Sequence, residues 1–187
     1  MAATEYLRLS GIVRESIVDG PGLRFVVFCQ GCPHHCPGCH NPQTHDFKGG
    51  KDVPLNRILA EIQKNPLLKG VTFSGGEPFC QAGAFAQLGR KIKGYSKALD
   101  IAVYTGYTYE QLTEKARLDP DTASLLAVSD FLIDGPYLAD ERDLSLCFRG
   151  SRNQRYIDLN RTRIRGILSL AQEQYIPARN RYSGKPA

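Results

Sequence analysis

The chain has 187 residues, 42% of them hydrophobic, and a formal net charge of +5. This length suits one well-packed domain, so we expect a single domain over residues 1–187. No stretch approaches the ~20 consecutive apolar residues of a membrane-spanning helix, and the N-terminus does not read as a secretory signal, so we expect a cytoplasmic protein with no membrane attachment. The basic excess is mild and lacks the signatures of nucleic-acid-binding modules, so no nucleic-acid partner is predicted.

Predicted strands and helices alternate along the chain. Short apolar runs without clean polar alternation indicate strands that are covered on both faces. They occupy residues 23–29, 70–73, 101–104 and 131–133. Apolar residues at helical spacing predict helices around residues 55–62, 85–92, 112–116 and 164–171. Strands that alternate with helices indicate βα units and a parallel sheet.

The number of predicted βα units limits the architecture. Fewer than eight such units fit into the chain, which excludes a complete eightfold βα barrel. A partial, open βα barrel of the α/β class fits better. The tail over residues 177–187 combines Pro and Gly with several charges, so we expect it to be flexible.

The most informative feature is a group of three cysteines directly after the first predicted strand. Cys32, Cys36 and Cys39 have the spacing C-x3-C-x2-C, which lets three thiolates face one centre. Zinc sites usually use two separated C-x2-C pairs, and ordinary four-iron clusters use four cysteines. Three ligands on a four-iron cluster would leave one iron open for a substrate, like the open position of a catalytic metal. Cysteines this close together favour metal thiolates over disulfides.

Cys29 adds a fourth candidate ligand, so a closed four-cysteine zinc or iron–sulfur site is an alternative. Because Cys29 lies within an apolar strand, where small buried thiols commonly pack, we expect it not to bind metal. Cys80 and Cys147 are isolated and are predicted to be inert. His34 and His35 lie inside the cysteine loop, where we expect them beside the cluster or in solvent rather than on iron.

Further candidate site residues follow the other predicted strands. The run over residues 74–77 follows the second strand, and Thr105 follows the third. The adjacent glycines of that run allow a ligand to approach the backbone closely. Because the carboxyl ends of parallel strands share one face, we expect these residues to meet the cysteines there. Asp134 ends the fourth strand, but its Asp-Gly-Pro-Tyr context is equally typical of a turn.

Together these motifs resemble the radical S-adenosylmethionine (SAM) superfamily, whose C-x3-C-x2-C motif holds a [4Fe-4S] cluster. The motifs over residues 16–24, 41–42 and 74–78 narrow the resemblance to the activases of glycyl radical enzymes. Residues 103–107 and 149–154, together with the short chain, look most like the anaerobic ribonucleoside-triphosphate reductase-activating proteins.

The resemblance implies a ligand set for the cluster and for SAM. Cys32, Cys36 and Cys39 would bind the cluster, and SAM would chelate the open iron through its amino and carboxylate groups. The residues that the resemblance places at SAM are Gly38, Cys39, His40, Ser74, Gly75, Gly76, Glu77 and Thr105. Many superfamily members carry an aromatic residue against the adenine where this chain has Gly38, so we expect the backbone or the His40 ring to make that contact.

The implied reaction is reductive cleavage of SAM to a 5′-deoxyadenosyl radical. This radical would abstract hydrogen from a glycine of the anaerobic (class III) ribonucleoside-triphosphate reductase, with a flavodoxin or ferredoxin as electron donor. Basic residues late in the chain, including Arg152 and Arg155, form either a solvated face or a docking surface for an acidic partner.

Three other functions are alternatives to this interpretation. The chain could activate another glycyl radical enzyme, such as pyruvate formate-lyase. It could be a small-molecule radical SAM enzyme, such as a carboxy-deazaguanine synthase. From a different class, it could be a metal-binding module without catalysis.

Overall fold

The computed structural model describes residues 5–172, which form an α/β structure around a mixed sheet. The strands are β1 (Tyr6–Ser16), β2 (Arg24–Cys29), β3 (Lys51–Pro54), β4 (Gly70–Gly75), β5 (Asp100–Tyr104), β6 (Phe131–Asp134) and β7 (Arg155–Asp158). The helices are α1 (Leu55–Ile62), α2 (Ala82–Tyr95), α3 (Tyr109–Ala116), α4 (Pro120–Val128) and α5 (Leu159–Arg165). Within the described residues the sheet has seven strands in the order β3-β1-β2-β4-β5-β6-β7. The tail over residues 177–187 lies outside the described residues.

The inner strands confirm the predicted parallel part of the sheet. β2, β4, β5 and β6 pair in parallel, with Val26 opposite Thr72 and Val103 opposite Leu132. Nearly all of their side chains are buried. Burial on both faces is the reason that these runs are apolar without alternation.

The outer strands were not predicted. β1 pairs antiparallel with both β2 and β3, and β7 pairs antiparallel with β6. β1 contains Arg8, Gly11 and Arg14 and exposes many of its residues, so it has no apolar run of its own. The α/β class is therefore confirmed, but the sheet is mixed rather than parallel, and the open barrel stays a prediction.

The first three helices lie where apolar spacing predicts them. α1 buries Leu55, Ile58 and Ile62, and α2 packs Phe85 against Phe73 of β4 with ring centroids 4.7 Å apart. α4 was not predicted. None of the helices within residues 5–172 is long and apolar enough to cross a membrane.

The last helix was predicted over the wrong residues. α5 begins after Asp158, whose carboxylate accepts a hydrogen bond from Arg161 N at 2.9 Å, and it ends at Gly166, which adopts a left-handed φ of 68°. Ile164 and Ile167 are 84% and 66% exposed. The helical spacing of the apolar residues over 164–171 therefore does not mark a buried helix face.

Candidate functional site

The cysteine loop after β2, the glycine turn after β4 and the residues after β5 meet at the carboxyl ends of the parallel strands, as expected. They surround an open cavity of about 150 Å³. These three segments contribute Cys32, Cys36, Cys39, His40, Asn41, Ser74, Gly75, Gly76, Thr105 and Gly106 to its lining. Of the predicted site residues, Gly38 and Glu77 lie next to this lining rather than in it.

Backbone hydrogen bonds fix the start of the cysteine loop. Gly31 N donates to Thr44 O at 2.8 Å, and Cys32 N donates to His45 O at 3.2 Å. Gly31 has φ +96°, and a Cβ there would lie 2.5 Å from the Phe47 ring, so this position requires glycine. The loop leaves β2 in a single sharply bent path that carries the first cysteine into the cavity.

The three thiols share the cavity but differ in exposure. Cys32 is buried, while Cys36 and Cys39 are half-buried. Cys39 N donates to Cys36 O at 3.1 Å, and Asn41 N donates to Cys39 Sγ at 3.4 Å. An amide hydrogen bond to sulfur is one way in which proteins tune iron–sulfur clusters.

The thiols are not grouped as ligands of one ion. Within the described residues, no three His, Cys, Asp or Glu side chains are close enough together to hold a single metal ion. The C-x3-C-x2-C spacing in the sequence is compatible with a four-iron cluster, because each cysteine ligand of such a cluster binds a different iron atom. The donor set, three thiolates from one bent loop, also fits such a cluster.

Cys29 differs from the other three cysteines of this region. It is fully buried in β2, opposite Gly75, and does not line the cavity. Burial, followed by the nearby Glu77 carboxylate, raises the pKa of the Cys29 thiol well above its usual value. A protonated thiol in an apolar strand matches the expected packing role.

The glycine turn packs directly against the cysteine loop. Gly76 N donates to Cys29 O at 2.9 Å, and Glu77 N donates to Gly31 O at 2.8 Å. A Cβ on Gly76 would lie 2.3 Å from Gly31 O, and one on Gly75 would lie 2.7 Å from Cys29 N. The two amides are occupied within the protein, so the turn can offer a ligand carbonyl oxygens rather than these N–H groups.

Glu77 connects three segments of the site. Its carboxylate is fully buried and contacts His34 Nε2 at 2.7 Å, Thr105 Oγ1 at 3.0 Å, Gly106 N at 2.9 Å and Phe79 N at 3.0 Å. The hydroxyl of Thr105 thus donates to Glu77, although Thr105 also lines the cavity. Glu77 therefore holds the cysteine loop and the β5 loop together, and His34 lies beside the site as expected.

The residues of the other wall of the cavity were not among the predicted SAM-binding residues, although the runs 103–107 and 149–154 contributed to the family resemblance. This wall contains Tyr104, Gly135, Tyr137, Gly150 and Gln154. The Tyr137 ring lies 5.0 Å from the His40 ring between centroids. A Cβ on Gly38 would come within 3.4 Å of Tyr137 Cε1, and one on Gly150 within 3.0 Å of the same ring. Gly38, the position expected to lack an aromatic side chain of its own, therefore lies beside an aromatic ring from the loop after β6.

Asp134 has a structural role in this arrangement. It is buried, accepts a hydrogen bond from Tyr109 N at 2.7 Å and pairs with Arg155, and it does not line the cavity. Arg155 also pairs with Glu110 at 2.7 Å. The hydrogen bonds that Arg155 donates to Glu110 lower the pKa of the Glu110 carboxyl group to about 2. Arg155 is thus occupied by two carboxylates and is a poor candidate for the predicted docking surface.

Comparison with known proteins identifies a family and relatives. Residues 18–157 match a family described as a 4Fe-4S single cluster domain. An anaerobic ribonucleoside-triphosphate reductase-activating protein of Vibrio cholerae is 34% identical over 144 residues, which cover 74% of this chain and 89% of the relative. A pyruvate formate-lyase-activating enzyme of Clostridium pasteurianum is 36% identical over 118 residues, which cover 59% of this chain and 50% of that protein.

Among solved structures, QueE from Escherichia coli is similar over 55% of this chain and 54% of its own, with a TM-score of 0.40 and 17% sequence identity. A likeness this slight carries no conclusion about the reaction. The residues matched by the family, 18–157, include the cysteine loop, the glycine turn and the loop after β6.

Proposed function

Because the chain belongs to the family of the anaerobic ribonucleoside-triphosphate reductase-activating proteins, we propose that it generates a glycyl radical on such a reductase. It is a radical SAM enzyme whose cofactors are a [4Fe-4S] cluster and SAM. One observation supports the proposal most strongly. The three cysteines, the glycine turn and the β5 loop line one open cavity at the carboxyl ends of the parallel strands.

The cysteine loop supplies the cluster ligands in this proposal. Cys32, Cys36 and Cys39 bind the cluster, and Cys29 stays a packing residue. When bound, the cluster supplies the electron that cleaves SAM into methionine and a 5′-deoxyadenosyl radical. Because Cys36 and Cys39 are half-buried, this side of the site is near solvent, where a flavodoxin or ferredoxin of a cytoplasmic electron-transfer chain can approach.

The two walls of the cavity hold opposite ends of SAM. The glycine turn accepts hydrogen bonds from the methionine amino group through its carbonyl oxygens, since the amides of Gly76 and Glu77 are occupied. The rings of His40 and Tyr137, which lie side by side, flank the adenine. Tyr137 thereby supplies the aromatic surface that Gly38 lacks.

The open mouth of the cavity admits the partner. The target glycine must come within ~3–3.5 Å of the radical carbon, so a loop of the reductase has to enter the cavity. We propose that the sheet curves as a partial, open barrel, which leaves room for such a loop. The chain's own residues orient SAM and exclude water around it, and no general acid or base is needed.

A second candidate is activation of pyruvate formate-lyase. The similarity to the Clostridium pasteurianum enzyme favours it, but only half of that protein is matched. The match to the Vibrio cholerae protein extends over 89% of the relative. We therefore prefer the reductase as partner.

Anaerobic reconstitution tests the proposal. The protein is loaded with iron and sulfide, reduced, and mixed with SAM and either the anaerobic ribonucleotide reductase or pyruvate formate-lyase of the same cell. We expect about four irons per chain, methionine release, and the doublet of a glycyl radical in electron paramagnetic resonance on the reductase alone. A doublet on pyruvate formate-lyase alone would move the proposal to the second candidate, and a colourless zinc-bound protein would refute both.

A further inference from the structure

The outer edge of β1 is only partly paired. β1 runs from Tyr6 to Ser16, but its pairing with β3 covers only the stretch from Tyr6 to Leu9. Within residues 5–172, no other strand lies on that side of β1. The backbone from Ser10 to Ser16 therefore presents unpaired hydrogen-bonding groups, which is the usual template for an added strand.

A groove with a volume of about 580 Å³ lies along this edge, between β1 and α1. Leu9, Ile12, Val53 and Ile58 give it an apolar floor. The groove shares no lining residue with the cysteine cavity. One end of the groove is at Leu9. Leu9 pairs with Cys29, the last residue of β2, so this end of the groove lies on the strand next to the one that leads into the cysteine loop.

The rim of the groove is basic. Arg14, Lys51, Arg57 and Glu61 are its charged residues. Arg14 Nε pairs with Glu61 at 2.9 Å, which leaves two cations. Lys51 and Arg57 are exposed, and no carboxylate of the described residues lies within 4 Å of either. An occupant with acidic side chains would give these two cations their counter-charges.

We propose that this groove binds an extended, acidic segment of the reductase, which adds to the outer edge of β1 in line with β3. This inference rests on the proposed function for the identity of the partner. Strand addition supplies backbone hydrogen bonds, and the apolar floor and basic rim select the side chains. The segment anchors the reductase beside the cysteine cavity while its glycine loop enters that cavity.

Charge argues against other occupants. The chain's own residues 173–187 carry more basic than acidic side chains, including Arg179, Arg181 and Lys185. A second copy of the chain would bring the same cations to the groove. Both would place like charges together, which disfavours association.

The test uses a charge-reversed groove and a matched control. The groove variant is Lys51→Glu with Arg57→Glu. The control variant, Arg90→Glu with Lys97→Glu, makes the same charge change at exposed residues outside the groove. Affinity for the anaerobic reductase is measured by calorimetry on the cluster-loaded proteins at two salt concentrations, and SAM cleavage without the reductase is measured in parallel.

The groove variant is expected to lose at least ~10-fold in reductase affinity, with a weaker salt dependence, while its cleavage of SAM without the reductase is unchanged. The control variant should bind within about twofold of the unmodified chain. Hydrogen exchange of the free chain and the complex gives the second readout. The amides among residues 10–16 that do not already bond to β2 should become protected in the complex, because an added strand bonds them directly.

Two results would overturn the proposal that the groove binds a segment of the reductase. One is equal affinity in the groove and control variants, and the other is an unprotected β1 edge in a complex that does form. Deletion of residues 173–187 that raises exchange at this edge would identify the chain's own tail as the occupant instead. Failure of the proposed function is recognised separately, because the reductase would then show no glycyl doublet even when it binds with full affinity.

Discussion

The two walls of the cysteine cavity are built in different ways. On one wall, the glycine turn and the cysteine loop touch through backbone atoms, and Glu77 connects both to the β5 loop. On the other wall, Tyr137 meets His40 and the glycine positions 38 and 150 through ring contacts. In the first wall a Cβ on Gly75 or Gly76 would meet backbone atoms, whereas in the second a Cβ on Gly38 or Gly150 would meet the Tyr137 side chain. We infer that the first wall fixes the cluster ligands and the second adapts to the adenine of SAM.

The largest effect is expected from the cysteines of the first wall. Replacing Cys32, Cys36 or Cys39 singly with Ala should abolish stable four-iron binding and SAM cleavage, because each thiolate holds its own iron. Cys29→Ala is the matched control and should keep the cluster, since Cys29 is buried outside the cavity. Iron analysis and absorption spectra after reconstitution measure both. If Cys29→Ala lost the cluster and one of the other three variants kept it, the assignment would be wrong. Cys29 would then be a cluster ligand in place of that cysteine.

Gly76→Ala should be the next most damaging change. Its Cβ would lie 2.3 Å from Gly31 O, a backbone atom that cannot move without shifting the cysteine loop. We expect a loss of ~2–4 kcal/mol in the free energy of unfolding and reduced iron content. Gly94→Ala in α2 is the control, because nothing lies within 4 Å of a Cβ there; it should be neutral or slightly stabilising. The free energy of unfolding of both variants is measured by denaturant unfolding. Equal values would mean that Gly76 is not closely packed against the cysteine loop.

Glu77→Gln tests the link between loops. The new amide group would place a donor against the donors that now surround the carboxylate, in a fully buried position. We expect a loss of ~1–3 kcal/mol in the free energy of unfolding and slower cluster assembly. Glu114→Gln removes a carboxylate that is 68% exposed and should change little. If the two variants unfold at the same urea concentration, Glu77 does not hold the loops together.

The smallest effect is expected on the second wall. Tyr137→Leu should weaken SAM binding by ~5- to 10-fold, because it removes the ring beside the adenine. Tyr137→Phe should restore most of the affinity. Binding of methionine, which has no adenine, should be the same in all three proteins. Calorimetry with the two ligands decides the point, since an equal loss for SAM and methionine would mean that Tyr137 only supports the fold of the cavity.

Much of the first wall could be predicted from local sequence. The inner strands are buried on both faces, so each is a continuous apolar run that can be recognised by itself. The cysteine spacing and the paired glycines each lie within a few residues of one another. Their meeting follows from the rule that loops after parallel strands share one face of the sheet.

The second wall could not be predicted in this way. Tyr137 lies about a hundred residues after the cysteines, in a sequence that equally fits a turn. Gly150 lies in the run 149–154 that contributed to the family resemblance, but the close approach that limits its side chain comes from the Tyr137 ring on the same wall. The run Asp-Gly-Pro-Tyr directly follows the end of a predicted strand. Its position could therefore have indicated that Tyr137 lies near the site, but it indicates nothing about the other residues of this wall.

The sequence by itself determined the order of the inner βα units and the side of the sheet on which the site lies, because these depend on apolar runs and on short-range spacing. The cofactors followed from the resemblance of its motifs to the radical SAM superfamily. The tertiary structure decided which groups of the site are occupied and which are available. The burial of Glu77 among protein donors, the pairing of Arg155 with two carboxylates and the unpaired edge of β1 all depend on residues far apart in the chain. Such contacts follow from the packing of the whole sheet, so no local pattern could have revealed them.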